Sequence, residues 1–470
     1  MNDYDASAQQ NLEWRCELHK ILDESDSATI FDWDEGAFAP VHKVMEEAND
    51  DTEILCRCAV ILCRYFPGLL FAERAYERVL TLDPKNVTAL KNLSWMAVSH
   101  GDYERAAVYG ERLIEIAGEQ TAENYFIAAR AHRLRGDIER ARALFREIIN
   151  QLPTDSPQLA LREGTIMKAV AAQLAGWKDE ADVAIKDICE ASIDGCYLRD
   201  IDYYPNSIEA QLGRLRSITE GKDICLYGAG PSIEKIADKK SVLSQDNFVH
   251  FIINTFSIIE DEILKPAGAR LSLACFSHPT VLFGANDRLE EFLRRDYPTM
   301  AILSNFVTDH CLDRPECSYL LEHDDWIFRF RTTNKLPPTP RDPLSFPNIN
   351  TLLLALCAAV LGRPRRIFLF GFDQRVIEDD GDKSSSVYFK EFDDRYPAHD
   401  RTDEARRQHI SDWVKWDAIQ VNELSGVSLR MLAQMFGMDL PIIYNVCPNS
   451  GLDGFPKIDI AQFLDLVDEG

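Results

Sequence analysis

The chain lacks both a long apolar segment and an excess of positive charge. Its longest apolar run, residues 351–362, is too short to cross a bilayer, which takes about 20 residues of helix. Residues 1–14 lack the basic and then apolar pattern of a secretory signal peptide. The 77 acidic and 51 basic residues give a net charge of −26, which opposes binding to nucleic acid or to an anionic membrane. We therefore predict a soluble cytoplasmic protein with no stable membrane insertion and no nucleic-acid partner.

The sequence also lacks the cysteine patterns of a disulfide framework or a zinc site. Its 12 cysteines are scattered, mostly within apolar stretches, as is typical of buried thiols in a reducing compartment. Cys311 and Cys317 lie close together, but their spacing does not fit a zinc knuckle and no second pair follows. We expect no metal site.

The length of 470 residues is typical of two or three domains, and a hydrophobic content of 46% is enough to form cores. The pattern of the chain changes near residue 50 and again at residues 200–206. We predict an acidic N-terminal helical segment over residues 1–50, helical repeats over residues 51–200, and an α/β domain over residues 205–470. Within the α/β domain, a charged lid or insert covers about residues 374–423.

A short motif recurs in the predicted helical region. Gly-Asp-Tyr-Glu-Arg-Ala at residues 101–106 returns as Gly-Asp-Ile-Glu-Arg-Ala at 136–141 and as Gly-Trp-Lys-Asp-Glu-Ala at 176–181. The spacing of these copies along the chain, with a glycine turn between paired helices, resembles that of tetratricopeptide repeats over about residues 53–190. The resemblance implies a stacked solenoid whose groove holds a protein acceptor or partner. A plain helical spacer is the alternative.

Residues 223–236 predict the central turn of the α/β domain. Ile224, Leu226 and Tyr227 alternate as in a buried strand, residues 228–232 form a glycine-rich turn, and a helical pattern follows. Ser232 is a natural N-cap for that helix. Such a turn brings backbone N–H groups to a phosphate or another anion, and glycine allows the close approach. A tight turn needed for packing alone is the alternative.

Buried strands alternate with helices along the rest of this domain. We predict strands near residues 247–254, 271–276, 300–304, 366–370 and 440–445, and an apolar helix over residues 349–362. This alternation predicts a Rossmann-like fold with a mostly parallel sheet, whose ligand binds at the carboxyl ends of the strands. Polar residues follow these strands and are expected to share one edge: residues 228–232, Asn254, Ser277, His278, Ser304, Asn305, Asp373, Asn449 and Ser450.

Five motifs in this domain support a family resemblance. Gly-Ala-Gly-Pro-Ser, Ile-Asn-Thr-Phe, Phe-Ser-His-Pro-Thr, Ile-Phe-Leu-Phe-Gly-Phe-Asp and Val-Cys-Pro-Asn-Ser follow one another over about residues 222–455. Their order and spacing resemble those of the bacterial sialyltransferases of glycosyltransferase family 42 and of motility-accessory flagellin glycosyltransferases. The resemblance implies an inverting, metal-independent transfer of a nonulosonic acid, such as sialic acid, from a CMP-activated donor to an acceptor hydroxyl. No cofactor is implied beyond that CMP-sugar co-substrate.

The same resemblance implies which residues bind the donor. Carried over by position, they are Gly228, Gly230, Ser232, Asn254, Asn350, Thr351, Pro448, Asn449 and Ser450. We also predict donor contacts at their neighbours and at two other strand ends: Ala229, Pro231, Thr255, Ser277 and Asp373. Family members bind the departing phosphate with lid tyrosines. Tyr388 lies in the lid here, and Arg375 replaces a second tyrosine with a guanidinium that suits a phosphate. Ala229 and His278 stand where the family has asparagine, so the donor sugar stays open.

The family's general base is a histidine that follows the lid, and a histidine suits proton removal from a hydroxyl. His399, beside Asp400, and His409, in a helix-like stretch, are both candidates in this region. His278, at a strand end, is the third. The sequence leaves the choice among them open.

Two other functions fit the α/β domain. One is a Mg²⁺-dependent pyrophosphokinase-like enzyme, with ligands from Asp373 and the acidic residues 378–380. The other is a non-catalytic interaction scaffold. The basic residues at 363–366 predict either a helix end that meets a strand or a phosphate site.

Overall fold

The computed structural model describes most of the helices and strands of the chain. The described residues are 20–21, 39–48, 50–63, 69–116, 118, 120–151, 160–190, 208–228, 230–237, 239–253, 259–277, 286–305, 307–308, 317–333, 344–347, 350–373 and 404–468. The chain divides into two compact units: the first comprises the described residues up to 151 together with residues 404–413, and the second comprises the other described residues. The domain boundary predicted near residues 200–205 lies within 191–207, outside the described residues.

The N-terminal half of the chain is helical, as the sequence predicts. Its helices are α1 (Ala39–Glu47), α2 (Thr52–Leu62), α3 (Leu69–Leu82), α4 (Val87–His100), α5 (Tyr103–Glu115), α6 (Ala122–Arg135), α7 (Ile138–Gln151), α8 (Ala160–Leu174) and α9 (Lys178–Glu190). Consecutive helices from α2 to α7 pack on one another, and α8 packs on α9. The core of the first unit is built mainly from aliphatic residues and alanines of α1 to α5.

The three copies of the repeated motif form the same turn. In the first copy, the N–H of Asp102 donates to the carbonyl of Ala97 at 2.8 Å, and the Asp102 carboxylate accepts from the N–H of Arg105 at 3.0 Å. The corresponding main-chain bond recurs in the other two copies. Each copy ends its first helix with a glycine in the left-handed conformation, where other residues are strained. The φ angles are 80°, 89° and 78° at Gly101, Gly136 and Gly176.

Ion pairs join neighbouring helical pairs along the first unit. Their members lie 29–32 residues apart in the chain, close to the period of the repeat. Exposed pairs of this kind contribute about 0–1 kcal/mol each, so they fix the register of the stack more than its stability. The pairs are Arg105 with Glu73, Lys91 with Glu123, Arg135 with Glu104, and Arg140 with Glu111.

Helices α5 and α6 cross closely at a glycine. A Cβ atom at Gly110 would lie 2.7 Å from the Cα of Ala128. We expect Gly110→Val to lower the unfolding free energy of this unit by about 2 kcal/mol, because overpacking forces the two backbones apart. Urea unfolding followed by helical circular dichroism measures the effect. Val108→Ala, on the exposed side of the same helix, should change stability by less than about 0.5 kcal/mol. Equal effects of the two variants would contradict the packing argument.

The second unit is built on a parallel sheet of eight strands, described as β1 to β8 in chain order. Their spatial order is β6-β5-β4-β3-β2-β1-β7-β8. Every neighbouring pair is parallel, so all carboxyl ends share one edge. The chain reverses its direction across the sheet between β1 and β7. The strands are β1 (Asp223–Tyr227), β2 (Phe248–Ile253), β3 (Leu271–Phe276), β4 (Met300–Ser304), β5 (Ile327–Thr333), β6 (Ser345–Pro347), β7 (Arg366–Phe370) and β8 (Ile442–Asn445).

Alternating strand residues feed two cores, one on each face of the sheet. The helices of eight or more residues in this part are α10 (Ile208–Thr219), α11 (Asn286–Leu293), α12 (Thr351–Leu361), α13 (Glu404–Met435) and α14 (Ile460–Asp468). Helices α10, α12 and α13 share the core that contains Ile224 and Leu369. Helices α11 and α14 share the opposite core, with Tyr227 and Phe370. The sheet is thus covered on both faces, as a parallel sheet requires.

The six strands and the apolar helix that the sequence predicts are all present. All eleven residues of α12 are buried, which explains their continuous apolar run. Strands β5 and β6 were not predicted. None of the described helices combines the length and the apolar character that a membrane span needs.

The helical hairpin α8–α9 belongs to the second unit. The Arg430 guanidinium, on α13, donates to the side chains of Gln173 on α8 and Asp182 on α9. Gly426, one turn earlier on α13, leaves room for the Gln173 amide, whose Cδ would lie 3.0 Å from an added Cβ. The last copy of the repeated motif is therefore a covering layer for α13.

The basic residues at 363–366 form a structural clamp at the opposite edge of the sheet. Asp223, at the start of β1, is fully buried and accepts hydrogen bonds from Arg365 (2.9 and 2.7 Å) and Arg366 (3.1 and 2.6 Å). Arg366 also donates to the carbonyl of Leu466 at 2.8 Å. Both guanidinium groups are thus used to fix β1 to β7, which favours the structural interpretation of this cluster over a phosphate site.

Candidate functional site

The glycine-rich turn after β1 is joined to the turn after β7 by main-chain hydrogen bonds. Gly228 N–H donates to Phe370 O at 2.8 Å, and Gly230 N–H donates to Gly371 O at 2.7 Å. A Cβ at Gly228 would lie 2.7 Å from Gly371 O, and Gly371 itself has a φ of 70°. The glycines are therefore required for the contact between the two turns. This contact lies where the sheet order reverses, which is the usual ligand position in open α/β sheets.

A partly buried polar cluster follows the turn. The N–H and hydroxyl of Ser232 both donate to Asp373 Oδ2, at 3.1 and 2.8 Å. The thiol of Cys447 donates to Asp373 Oδ1 at 3.1 Å. Burial, and then the neighbouring Asp373 carboxylate, raise the pKa of Cys447. Ser232 lies inside the short helix Pro231–Ile233, so the prediction that it is the N-cap is wrong. The Asp373 carboxylate accepts a hydrogen bond from the N–H group of Ser232 at the start of this helix.

This arrangement bears on the predicted phosphate contact. The amide of Ser232, expected to face an anion, already donates to a carboxylate. A phosphate placed here would meet the negative charge of Asp373, which Coulomb repulsion opposes. Both carboxylate oxygens of Asp373 also have protein donors, so binding Mg²⁺ would cost those hydrogen bonds.

The start of α12 offers a different polar surface at the same edge. Asn350 is the N-cap, with its Oδ1 accepting from Leu353 N–H at 3.0 Å. Its Nδ2 is buried and has no hydrogen-bond partner among the described residues. The hydroxyls of Ser277, after β3, and Thr351 lie 2.7 Å apart, and Ser304, the last residue of β4, donates to Ser277 O at 2.7 Å. The helix start therefore combines a partial positive charge with an available amide donor.

The loop after β8 lies at the same edge of the sheet. We call the space between this loop and the start of α12 the crevice. Ser450 Oγ donates to Phe372 O at 2.7 Å, and Gly451 N–H donates to Asp373 O at 2.8 Å. Asn422, on α13, accepts from two amides of this loop, at 2.8 and 3.2 Å, and donates to Gly451 O at 3.0 Å. Pro448 and Asn449 are exposed on the loop held in this way.

The polar strand ends share one edge, as predicted, but they do not form one small pocket. Strands are about 4.8 Å apart, so the six that carry these residues span about 24 Å. The ends of β1, β7 and β8 form one group, around Asp373. The ends of β3 and β4 and the start of α12 form a second, around Ser277. Asn305 is occupied within the second group, where it accepts from the N–H and hydroxyl of Thr332 at 2.9 and 3.0 Å.

Several predicted site residues lie outside the described residues, so their roles stay predictions. For His409 the structure describes the backbone, within α13, and for Pro231 the backbone of the short helix. The others are Ala229, Asn254, Thr255, His278, Arg375, Tyr388 and His399. Within the described part of the chain, no group of three His, Cys, Asp or Glu side chains is arranged to hold a metal ion.

One residue near the crevice was not selected from the sequence. Asp417 lies on α13, five residues before Asn422, partly buried in a stretch of mostly buried neighbours. Burial raises the pKa of its carboxyl group to about 8. The sequence contains one indication of this burial: Asp417 is seven residues before the apolar Leu424 and therefore lies on the same face of the helix.

Comparison with known proteins adds little to this geometry. No protein-family model matches the chain, and no curated protein matches it. Among solved structures, a mutant of the O-GlcNAc transferase of Thermobaculum terrenum is similar, with 10% identity and a TM-score of 0.29. The match covers 83% of this chain and 96% of that one. A likeness this weak carries no argument, so the helical repeats and the parallel α/β sheet are established by the structure of this chain itself.

Proposed function

We propose that the α/β unit is an inverting, metal-independent glycosyltransferase that moves a sialic-acid-like sugar from a CMP-activated donor to an acceptor hydroxyl. The observation that carries the proposal is the start of α12. There the buried Nδ2 of Asn350 has no partner in the described part of the chain, at the sheet edge where the motif resemblance expects nucleotide and sugar. A buried donor without a partner costs about 1–3 kcal/mol, which a bound ligand would recover.

The donor would lie between the start of α12 and the loop after β8. The α12 end offers Asn350, Thr351 and a helix dipole to the anionic donor. Pro448 and Asn449, exposed on a loop that Asn422 fixes, would form the wall for the cytidine. The glycine turn supports this site by packing, because its contact with residues 371–373 holds the loop after β8 in place.

The metal-independent form of the reaction is favoured by the hydrogen bonds of Asp373. Its carboxylate fixes Ser232 and Cys447, a structural role that fits a transferase without Mg²⁺. Charge on the departing phosphate would be stabilised by the α12 dipole and by Tyr388 or Arg375 of the lid. The family resemblance alone implies one of His278, His399 and His409 as the proton acceptor, and the side chains of all three lie outside the part of the chain that the structure describes.

The helical repeats would bind a protein acceptor or partner. A cleft of about 450 Å³ in the first unit lies between α2 and the start of α4. It combines opposite charges, Glu53 and Arg57, with the partly exposed Val60. A mixed surface of this kind suits an extended peptide segment with both polar and apolar side chains.

CMP is expected to raise the melting temperature of the full chain, with or without EDTA. Ligand at 100 times its Kd stabilises the native state by about 2.7 kcal/mol. UDP and ATP, measured in parallel by differential scanning fluorimetry, should shift the transition less. No shift with CMP would remove the basis for this donor, and a shift that EDTA abolishes would favour the Mg²⁺-dependent alternative.

Asn350→Asp is the matched variant for this titration. An aspartate keeps the oxygen that caps α12 but replaces the Nδ2 donor with a second oxygen, so folding should be preserved. We expect the variant to melt close to the wild type and to lose most of the CMP-dependent shift. An unchanged shift would contradict a nucleotide or sugar contact at Asn350.

A further inference from the structure

We infer that Asp417 accepts the proton of the acceptor hydroxyl during transfer, an inference that rests on the proposed function. The structure supports it by the position of α13 along the sheet, the direction in which Asp417 points, and its environment. None of these observations depends on the family resemblance, in which a histidine has this role.

The first observation is the position of Asp417 along α13. The helix ends at Met435 and the chain then enters β8 at Ile442, so its C-terminal end lies at the amino edge of the sheet. Asn422 contacts the loop after β8, which lies at the carboxyl edge. Asp417 precedes Asn422 by five residues, or about 7.5 Å of helix axis. It therefore lies at the carboxyl edge, beside the crevice.

The second observation is the direction of the side chain. Residues 7 and 18 positions apart share one face of a helix, because these spacings are close to whole numbers of turns. Leu424 and Met435 have these spacings from Asp417, and both pack against the core that α12 also lines. Asp417 therefore lies on the same side of α13 as these two core residues, but beyond the ends of the strands. This is the face of the sheet that α12 also covers, beginning at Asn350 and Thr351.

The third observation is the environment of the carboxyl group. No described residue donates a hydrogen bond to Asp417, unlike Asp373, whose oxygens have protein donors. A partly buried carboxylate without donors costs stability, and such a cost is typical of functional sites. Its pKa is raised to about 8 by burial, close to the pH at which a general base works best.

The other described titratable groups at this edge are accounted for. Asp373 and Cys447 hydrogen-bond each other, and Lys457 donates to Ser450 O at 2.7 Å and to Asp453 at 2.6 Å. Lys415 and Glu423 leave α13 about 160° and 120° away from Asp417, at 100° per residue.

The proposed step makes one bond and breaks one at the anomeric carbon. The acceptor oxygen forms a bond to that carbon while the bond from the carbon to the phosphate oxygen breaks, and the electron pair leaves with CMP. The acceptor proton moves to the Asp417 carboxylate, which later releases it to water. The carboxylate form is required, so the rate should rise with pH through the pKa of this group.

The test compares the wild type, Asp417→Asn, Asp417→Glu and Asp465→Asn, an exposed control on α14. With CMP-sialic acid as the probe and water as the acceptor, release of CMP reports the reaction without a known acceptor. We expect Asp417→Asn to lose about 100-fold in kcat/KM and to lose the rise with pH, while its CMP-dependent thermal shift is kept. Asp417→Glu should recover part of the rate, and Asp465→Asn should behave as the wild type.

Stability against pH gives a readout that needs no activity. The folded pKa of Asp417 lies above its unfolded value, so its ionisation removes stability as the pH rises from about 4 through 8. Asp417→Asn should melt with the wild type at pH 4 and several degrees above it at pH 8. If the melting temperatures of the variant and the wild type differ by the same amount at pH 4 and at pH 8, burial does not raise the pKa of this carboxyl group, and the inference is overturned.

The two proposals fail in different ways. A wild type that neither binds CMP nor releases it from CMP-sialic acid overturns the proposed function and the inference together. A wild type that does both, with an Asp417→Asn variant that keeps its rate and its pH profile, overturns the inference alone.

Discussion

Asp223→Ala is expected to destabilise the α/β unit by about 3–5 kcal/mol, the usual cost of removing one partner from a buried ion pair. Asp223 is fully buried between Arg365 and Arg366, and four hydrogen bonds join the three side chains. Without the carboxylate, the largely buried Arg366 guanidinium keeps its hydrogen bond to Leu466 O and its position over the Phe368 ring, but it loses its counter-charge. Native-state hydrogen exchange of the β1 and β7 amides in the full chain measures the loss for this unit alone.

The same clamp should make stability depend on acid pH. Burial alone would raise the pKa of Asp223, but the hydrogen bonds from Arg365 and Arg366 bring it below its usual value. A lowered folded pKa means that the stabilisation is present above the unfolded pKa and is lost as the pH falls through the folded one. The wild type should therefore lose stability below about pH 4 more steeply than Asp223→Asn.

Lys265→Ala is the control for Asp223→Ala. It removes an exposed pair with Asp261 and should cost less than about 0.5 kcal/mol. A similar loss in both alanine variants would show that the clamp is not the source of the effect.

Gly230→Ala is expected to cost about 3 kcal/mol and to abolish CMP binding with it. The added Cβ would overlap the Asp373 carboxylate and lie 2.6 Å from Gly371 O. That carbonyl cannot move freely, because Gly230 N–H donates to it and Gly371 holds a left-handed conformation. Overpacking against backbone costs about 1–3 kcal/mol or more, and here it also displaces the acceptor of the Ser232 hydrogen bonds.

Gly213→Ala is the matched control for the glycine turn. Gly213 lies on the exposed side of α10, and an added Cβ there meets nothing within 4 Å. Alanine should raise the unfolding free energy by about 0.5–1 kcal/mol, because it is the better helix former. Guanidinium unfolding of both variants decides the matter. A Gly230→Ala protein as stable as Gly213→Ala would mean that the turn after β1 is not packed as described.

Local sequence patterns predicted most of the sheet. Five of the six predicted strands are almost entirely buried, so they appear as continuous apolar runs, and β8 at the sheet edge was recognised from its own apolar residues. Strand β5 was missed although Phe328 and Phe330 alternate with arginines, because Arg329 is itself buried and pairs with Asp324. Strand β6 has three residues, too few for any period to be read.

The candidate site was predicted at the level of its sheet edge and no further. A parallel sheet brings strand ends together whatever the side chains do, so the edge follows from the strand pattern alone. The hydrogen-bond partners of those side chains do not follow from the strand pattern. Ser232 and Asp373 are 141 residues apart, and nothing local to either one shows that the carboxylate occupies the helix start. Asp417 was missed for the same reason, because its partial burial depends on how α13 packs in the fold.

The seating of α8–α9 on α13 limits how this chain can be divided or recombined. The repeat visible in the sequence continues to residue 190, but the folding unit of the sheet begins with α8. A fragment starting at residue 205 would leave Arg430 without Gln173 and Asp182, and would open the close contact at Gly426 on the helix that carries Asp417. Loss or exchange of the α8–α9 pair should therefore disturb the sheet unit, so this pair has to be kept whenever the chain is divided.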